Sequence, residues 1–295
     1  MSTLAEQIER RRRTRGAALM GVLNVTPDSF YDGGRHATPE AAAQRIDELL
    51  DQGADILDIG GESSRPGAEP VPAAEQLRRI EPAVRHAVAR GALVSVDTTS
   101  PEVAEHALRL GASLVNDVSC LADPELASVC ARFGATLVLM HSRGPMSKMP
   151  GFSQHPENGY RDVVGEVLIE LYAARERACE RGLSRDRVFF DPGLGFNKSA
   201  RHSFALLQGL ARFGEVGTPL VVGPSRKSFI AAIDDAPPER RLGGTIAACL
   251  LAVERGASVL RVHDVAEVAQ ALAVAHAIRH GLPARETPRA EVRHA

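Results

Sequence analysis

The run GALVSVDTTSPEVAEHALRLGASLVNDV, Gly91 to Val118, holds the unit from which the rest of the chain is built. Gly91-Ala92 opens a short apolar stretch, LVSV, that ends at Asp97. PEVAEHALRL then follows with helical spacing, and Gly111-Ala112 opens the next stretch, LVNDV. A glycine just past a helix takes the left-handed conformation at little steric cost, so Gly91 and Gly111 read as helix stops that feed strands. The same Gly-Ala joint recurs at Gly53, Gly134 and Gly256. Outward from this run, ALMGVLNV, ILDIGG, TLVLMH, VFFDPG, PLVVGPS and VLRVHD each precede a helical pattern too, which makes eight β-then-α units. Their strands are apolar rather than alternating, as in a sheet covered on both faces. The expected fold is therefore α/β, a single closed parallel (β/α)8 TIM barrel. A doubly wound open sheet is the alternative, but eight units close without leftover strands, and no G-x-G-x-x-G follows the first strand. We divide the chain into a flexible or helical N-terminal arm (1–16), the barrel (17–281) and a C-terminal tail (282–295).

Composition narrows the partners. With 295 residues and 44% hydrophobic content, the chain is long enough for a full core. A net charge of −2, from 35 basic and 37 acidic residues, provides no general field for nucleic acid or an anionic membrane, so neither is an expected partner. Any anion must be caught locally. Cys120, Cys130, Cys179 and Cys249 show no C-x-x-C spacing and read as packing thiols of a reducing, cytoplasmic compartment. The Arg-rich start, MSTLAEQIERRRRTRG, reads as a solvated helix or frayed arm whose like charges repel.

In a barrel of this kind the site lies at the C-terminal ends of the strands. Those ends carry Asn24; Glu62 with Ser63, Ser64 and Arg65; Asp97; Asn116 with Asp117; His141; Asp191; Ser225 with Arg226 and Lys227; and Arg261 with His263 and Asp264. One such residue is easily explained as a helix cap or a solvated charge. Polar residues at all eight ends are not. Asp97, Asn116 and Asp191 suit a flat heterocycle with an amidine-like donor edge, because carboxylate oxygens accept from a ring N–H and an amino group together. Arg261, His263 and Asn24 suit an anion with its metal, and Ser64, Arg65 and Ser225 a smaller acidic group. DPGLGFNKS, Asp191 to Ser199, nearly matches a P-loop, but Pro192 and Asn197 occupy its two glycine positions. On that reading Lys198 is peripheral and His141 is either a base or a loop-orienting histidine.

Together GVLNVTPDSFYDGG, ADILDIGGESSRPG, SVDT, VNDV, DPGLGF, VGPSRKSF and RVHDV resemble the dihydropteroate synthases of the folate pathway, over roughly Met20 to His280. The resemblance implies a barrel transferase that joins 4-aminobenzoate to 6-hydroxymethyl-7,8-dihydropterin diphosphate and releases pyrophosphate, with Mg2+ as cofactor and sulfonamides as inhibitors. Matched residue by residue, Asp97, Asn116, Asp191 and Lys227 would hold the pterin, and Asp97 would offset developing positive charge. Asn24, Arg261 and His263 would bind the pyrophosphate, with Asn24 beside Mg2+. Ser64, Arg65, Phe196 and Ser225 would form the 4-aminobenzoate site, and Asp97, Lys227, Arg261 and His263 would carry the catalysis. Ser64 stands where threonine is usual in the family, Asn197 where glycine is, and Ser203 where asparagine is; Pro224 is less familiar there. Of these, Asn197 would put a side chain beside the pocket.

Two other readings are a methyltetrahydrofolate–corrinoid methyltransferase of the same superfamily, against which ESSRPG and SRKSF argue, and a non-catalytic pterin-binding paralogue, which would have lost Asp97, Asn116, Lys227 or Arg261. The alanine- and valine-rich last helix, VAEVAQALAVAHAIRHG, reads as a homodimer surface.

Overall fold

In the computed structural model, residues 4–26, 38–63, 67, 69–144, 146–214 and 217–282 are described. The strands are β1 (Ala18–Asn24), β2 (Ile56–Gly60), β3 (Leu93–Asp97), β4 (Leu114–Asp117), β5 (Thr136–Met140), β6 (Val188–Asp191), β7 (Val221–Val222) and β8 (Val259–Val262). All pair in parallel, in the order β6-β5-β4-β3-β2-β1-β8-β7. A bridge between Phe190 and Leu220 and a hydrogen bond from Phe190 N to Pro219 O join the two ends into the expected barrel.

The helices are α1 (Leu4–Arg15), α2 (Pro39–Asp51), α3 (Ala73–Ala89), α4 (Pro101–Arg109), α5 (Glu125–Phe133), α6 (Val163–Glu180), α7 (Ala200–Gln208), α8 (Ala211–Gly214), α9 (Ser228–Asp234), α10 (Leu242–Glu254) and α11 (Val265–His280). The Gly-Ala joints stop helices as expected: Gly53, Gly91, Gly111, Gly134 and Gly256 all have positive φ. Local capping starts several of the helices. Ser100 accepts from Val103 N ahead of α4, and Ser199 forms a capping box with His202 at the head of α7. The seventh unit departs from its sequence pattern, because its strand is two residues long and α9 intervenes before α10.

Strand parity separates two cores. Leu57 and Ile59 face outward into the layer shared with the helices, while Ile56 faces inward with Met20, Leu114, Val138, Phe189, Val221 and Val259. That inner cluster fills the lower barrel, so polar side chains are confined to its upper end. The Arg-rich start is helical and is not solvated all round, because Ile8 of α1 is buried against the base of the inner cluster. Arg11 and Arg15 pair with Asp55, which offsets the repulsion expected of this segment. Residues 1–3 of the arm and 283–295 of the tail lie outside the described residues.

Candidate functional site

Register explains why residues far apart in sequence meet at the barrel mouth. Asn24 pairs with Gly60, Gly60 with Asp97, and Asp97 with Asn116, so three of the expected side chains sit at one level on neighbouring strands. Gly60 suits that closeness: a Cβ there would stand 3.3 Å from Asp97 Cβ and 3.4 Å from Asn24 Oδ1.

At the centre is a residue that the sequence reading passed over. Asp58, inward-facing on β2 and fully buried, accepts from Arg261 Nε at 2.6 Å and from Asn116 Nδ2 at 3.2 Å, both on Oδ2. Arg261 Nη2 also donates to Asp97 Oδ2 at 2.8 Å. The available signal was a carboxylate inside an apolar strand, at the same parity as inward Ile56. Burial, helped by the nearby charge of Asp58 and opposed by Arg261, pushes the Asp97 carboxyl up to about 7. The two carboxylates hold the Arg261 guanidinium firmly charged despite its burial.

Across the mouth, Asp191 is buried and its Oδ1 accepts from Gly193 N at 2.7 Å. Gly193 has φ 66°, and a Cβ there would meet His141 O at 2.1 Å, so no other residue fits this turn. Burial raises the Asp191 pKa, against the opposing charges of Lys227 and Arg261. Lys227 donates to Leu194 O at 2.7 Å and lies 4.5 Å from the Phe196 ring centroid, a cation–π contact. Burial lowers its pKa to about 8, with Asp191 opposing.

Ser225 and His263, expected against different ligands, touch each other. The hydroxyl accepts from His263 N at 3.2 Å and lies 3.0 Å from Nδ1. The hydroxyl has one donor and two acceptor sites, so either neutral tautomer of the ring fits this contact. Burial and the adjacent Arg261 charge lower the His263 pKa to about 3, so the imidazole is neutral at pH 7.

Several expected roles change. Lys198 is not peripheral: it is fully buried, and its ammonium meets His141 Nδ1 at 2.9 Å, His141 O at 3.2 Å and Phe196 O at 2.9 Å. These three acceptors match its three donors, and burial still lowers its pKa to about 7. His141, also fully buried, contacts Glu170 through Nε2 at 3.0 Å, which makes it a link in this network. Asn197, at φ 47°, turns its amide away to accept from Ser142 Oγ at 2.7 Å and Arg143 N at 3.2 Å. It clasps the β5 loop to the β6 loop. Glu62 accepts from Val71 N and Gln76 Nε2, closing its own loop. Asp117 accepts from Ser119 N and Leu121 N, a turn role. Asp264 pairs with Arg226. Ser64 and Arg65 lie outside the described residues.

The chain is similar to known proteins in sequence and fold. Residues 20–263 match the family described as pterin binding enzyme. A probable bifunctional folylpolyglutamate synthase/dihydropteroate synthase of Halobacterium salinarum is 44% identical over 270 residues; the match covers 90% of this chain and 32% of that protein, so the chain spans about a third of its length. The dihydropteroate synthase of Escherichia coli strain K12 is 39% identical over 277 residues, covering 92% of this chain and 94% of the relative. Among solved structures, Xanthomonas albilineans dihydropteroate synthase with 4-aminobenzoic acid superposes with TM-score 0.81 at 44% identity, covering 90% of this chain and 94% of that one. The Yersinia pestis enzyme in complex with a sulfonamide drug gives TM-score 0.84 at 36% identity, covering 89% and 94%.

Proposed function

The chain belongs to the pterin-binding enzyme family, among its dihydropteroate synthases, and from that premise we propose how its residues divide the reaction. It condenses 6-hydroxymethyl-7,8-dihydropterin diphosphate with 4-aminobenzoate, giving 7,8-dihydropteroate and pyrophosphate for folate biosynthesis. The observation that carries this reading is the convergence of Asp97, Asn116 and Arg261 around Asp58 at the barrel mouth.

Asp191 presents the carboxylate oxygen not used by Gly193 to the 2-amino and N3 edge of the pterin, Asn116 holds the ring, and Lys227 stands by its carbonyl. The C–O bond to pyrophosphate then breaks and its electron pair leaves with the oxygen. Arg261 and neutral His263 bind the departing pyrophosphate, and ionised Asp97 offsets the cationic carbon left behind. The amine of 4-aminobenzoate attacks this carbon, forms the C–N bond and gives up a proton to the released pyrophosphate. Phe196 and Ser225, with Ser64 and Arg65, hold the 4-aminobenzoate. Sulfonamides, which mimic its flat amine and acid, compete there. No covalent enzyme intermediate is needed.

Among the described residues no three His, Cys, Asp or Glu side chains gather as a metal cage. The amide oxygen of Asn24, close to Asp97 across Gly60, fits a Mg2+ that takes most of its ligands from substrate phosphate and water. When bound, the ion neutralises charge on the leaving pyrophosphate. A homodimer through the last helices is supported by Val274 and Ile278 of α11, 55% and 80% exposed, and by half-exposed Leu251 of α10. A reducing, cytoplasmic setting is supported by four unpaired thiols, three of them buried. No helix among the described residues is long and apolar enough to cross a membrane.

The paralogue reading would have lost at least one of Asp97, Asn116, Lys227 and Arg261, all of which are present and gathered at one mouth. Pyrophosphate release measured with both substrates, and again with each omitted, tests the proposal. Release that needs both supports it; release that ignores 4-aminobenzoate refutes the condensation.

A further inference from the structure

Asp58 has no place in the ligand contacts assigned above, and its burial is hard to justify on stability alone. A carboxylate taken wholly out of water is expensive even when paired, and apolar residues of similar volume often replace buried ion pairs without loss. Its neighbour of the same parity, Ile56, shows what the barrel interior otherwise accepts. Yet Asp58 is fully buried, and one of its oxygens takes both the Arg261 Nε–H at 2.6 Å and the Asn116 amide at 3.2 Å.

The topology makes this contact a brace. Arg261 is on β8 and Asn116 on β4, and each strand is two places from β2 on opposite sides. No main-chain ladder links these strands to one another, so their side chains are aligned only through what lies between them. Asp58 uses the Nε–H of Arg261, Asp97 uses one Nη2–H, and the remaining guanidinium donors are left for a ligand. Arg261 keeps 21% of its side chain exposed, whereas Asp58 keeps none, so the brace lies beneath the guanidinium.

We propose that Asp58 is a positioning residue for the pterin diphosphate, holding Arg261 and Asn116 in their ligand-binding rotamers from below without touching the substrate itself. This rests on the assignment of Arg261 and Asn116 to that substrate. The charge-assisted Arg261 bond is the shorter of the two, so most of the effect runs through Arg261.

The test uses the full chain and calorimetric titration of the pterin diphosphate, with melting curves, for Asp58→Asn, Arg261→Ala and the double variant. Asp58→Asn keeps the shape and can keep its amide oxygen on both donors, but it removes the negative charge that strengthens the Arg261 bond. Its affinity for the pterin diphosphate should fall about tenfold. In steady state KM for 4-aminobenzoate should stay unchanged, a split that a general loss of packing would not produce. In the double variant the loss should be smaller than the product of the two single losses. Should Asp58→Asn not fold, Asp58→Leu provides the second arm: an apolar barrel residue that folds but binds the pterin diphosphate weakly supports the brace. A folded Asp58 variant that binds the pterin diphosphate like wild type, or losses that simply multiply, would overturn it. Undiminished binding by Arg261→Ala would instead remove the site assignment on which it stands.

Discussion

Asp191→Asn separates a turn-forming role from a ligand-binding one at a single position. Asp191 has both available, because Oδ1 already accepts from Gly193 N at 2.7 Å and holds the turn in which Gly193 closes on His141 O. An asparagine can keep that bond with its amide oxygen, and its NH2 then falls where the second carboxylate oxygen was. Two N–H groups of the pterin edge would meet a donor there, leaving at least one buried donor unmatched at about 1–3 kcal/mol. That is roughly a ten- to hundredfold loss of pterin affinity. The flipped amide moves the same conflict onto Gly193 N and into the fold. A second effect has the same sign: Asp191 helps to keep Lys227 protonated, so its loss lowers the Lys227 pKa further below its present value of about 8. Titrations should therefore be run well below that pH, where the ammonium persists in both proteins. The expected result is a pterin diphosphate affinity reduced ten- to hundredfold, as estimated above, with a nearly unchanged melting temperature. Equal affinities in wild type and variant would show that Asp191 only caps its turn.

The pH dependence of kcat/KM for the pterin diphosphate should be bell-shaped. In the proposed reaction Asp97 would serve as the anion, ionised above about 7, and Lys227 as the cation, protonated below about 8. A flat profile across that window would refute one of these protonation states. Excess chelator should stop pyrophosphate release and added Mg2+ restore it, because under the proposed assignment Arg261 would be the main positive charge against the diphosphate while His263 is neutral; undiminished turnover would count against a metal at Asn24. A sulfonamide should raise the apparent KM for 4-aminobenzoate and leave kcat unchanged, and inhibition that added 4-aminobenzoate cannot relieve would misplace Ser225 and Phe196. Asn197→Gly should lower stability by about 1–2 kcal/mol through loss of the acceptor for Ser142 and Arg143. A lower KM for 4-aminobenzoate with no change in melting would mean that the side chain obstructs the pocket after all.

The barrel was legible in the chain because its signals are local. A helix stop needs one glycine of suitable φ, and a buried parallel strand needs a short apolar run; both recur with the same punctuation along the sequence. The polar strand ends were legible for the same reason, since a residue type at the end of a strand is a fact about sequence position. What such a residue touches is not. Asp58 sits in the middle of an apolar strand, and its partners lie 58 and 203 residues away, joined to it only by register and closure. Lys198 looked like a loop lysine until the β6 turn carried it against His141, and Asn197 looked like an obstruction until its left-handed backbone aimed the amide at the β5 loop. The charges follow the same division: sequence supplies the titratable groups, but desolvation and neighbours decide that His263 is neutral and that Asp97 ionises only near 7. Local propensity thus determined the elements and their order, whereas burial and strand register, which are properties of the closed barrel, decided which side chains act together.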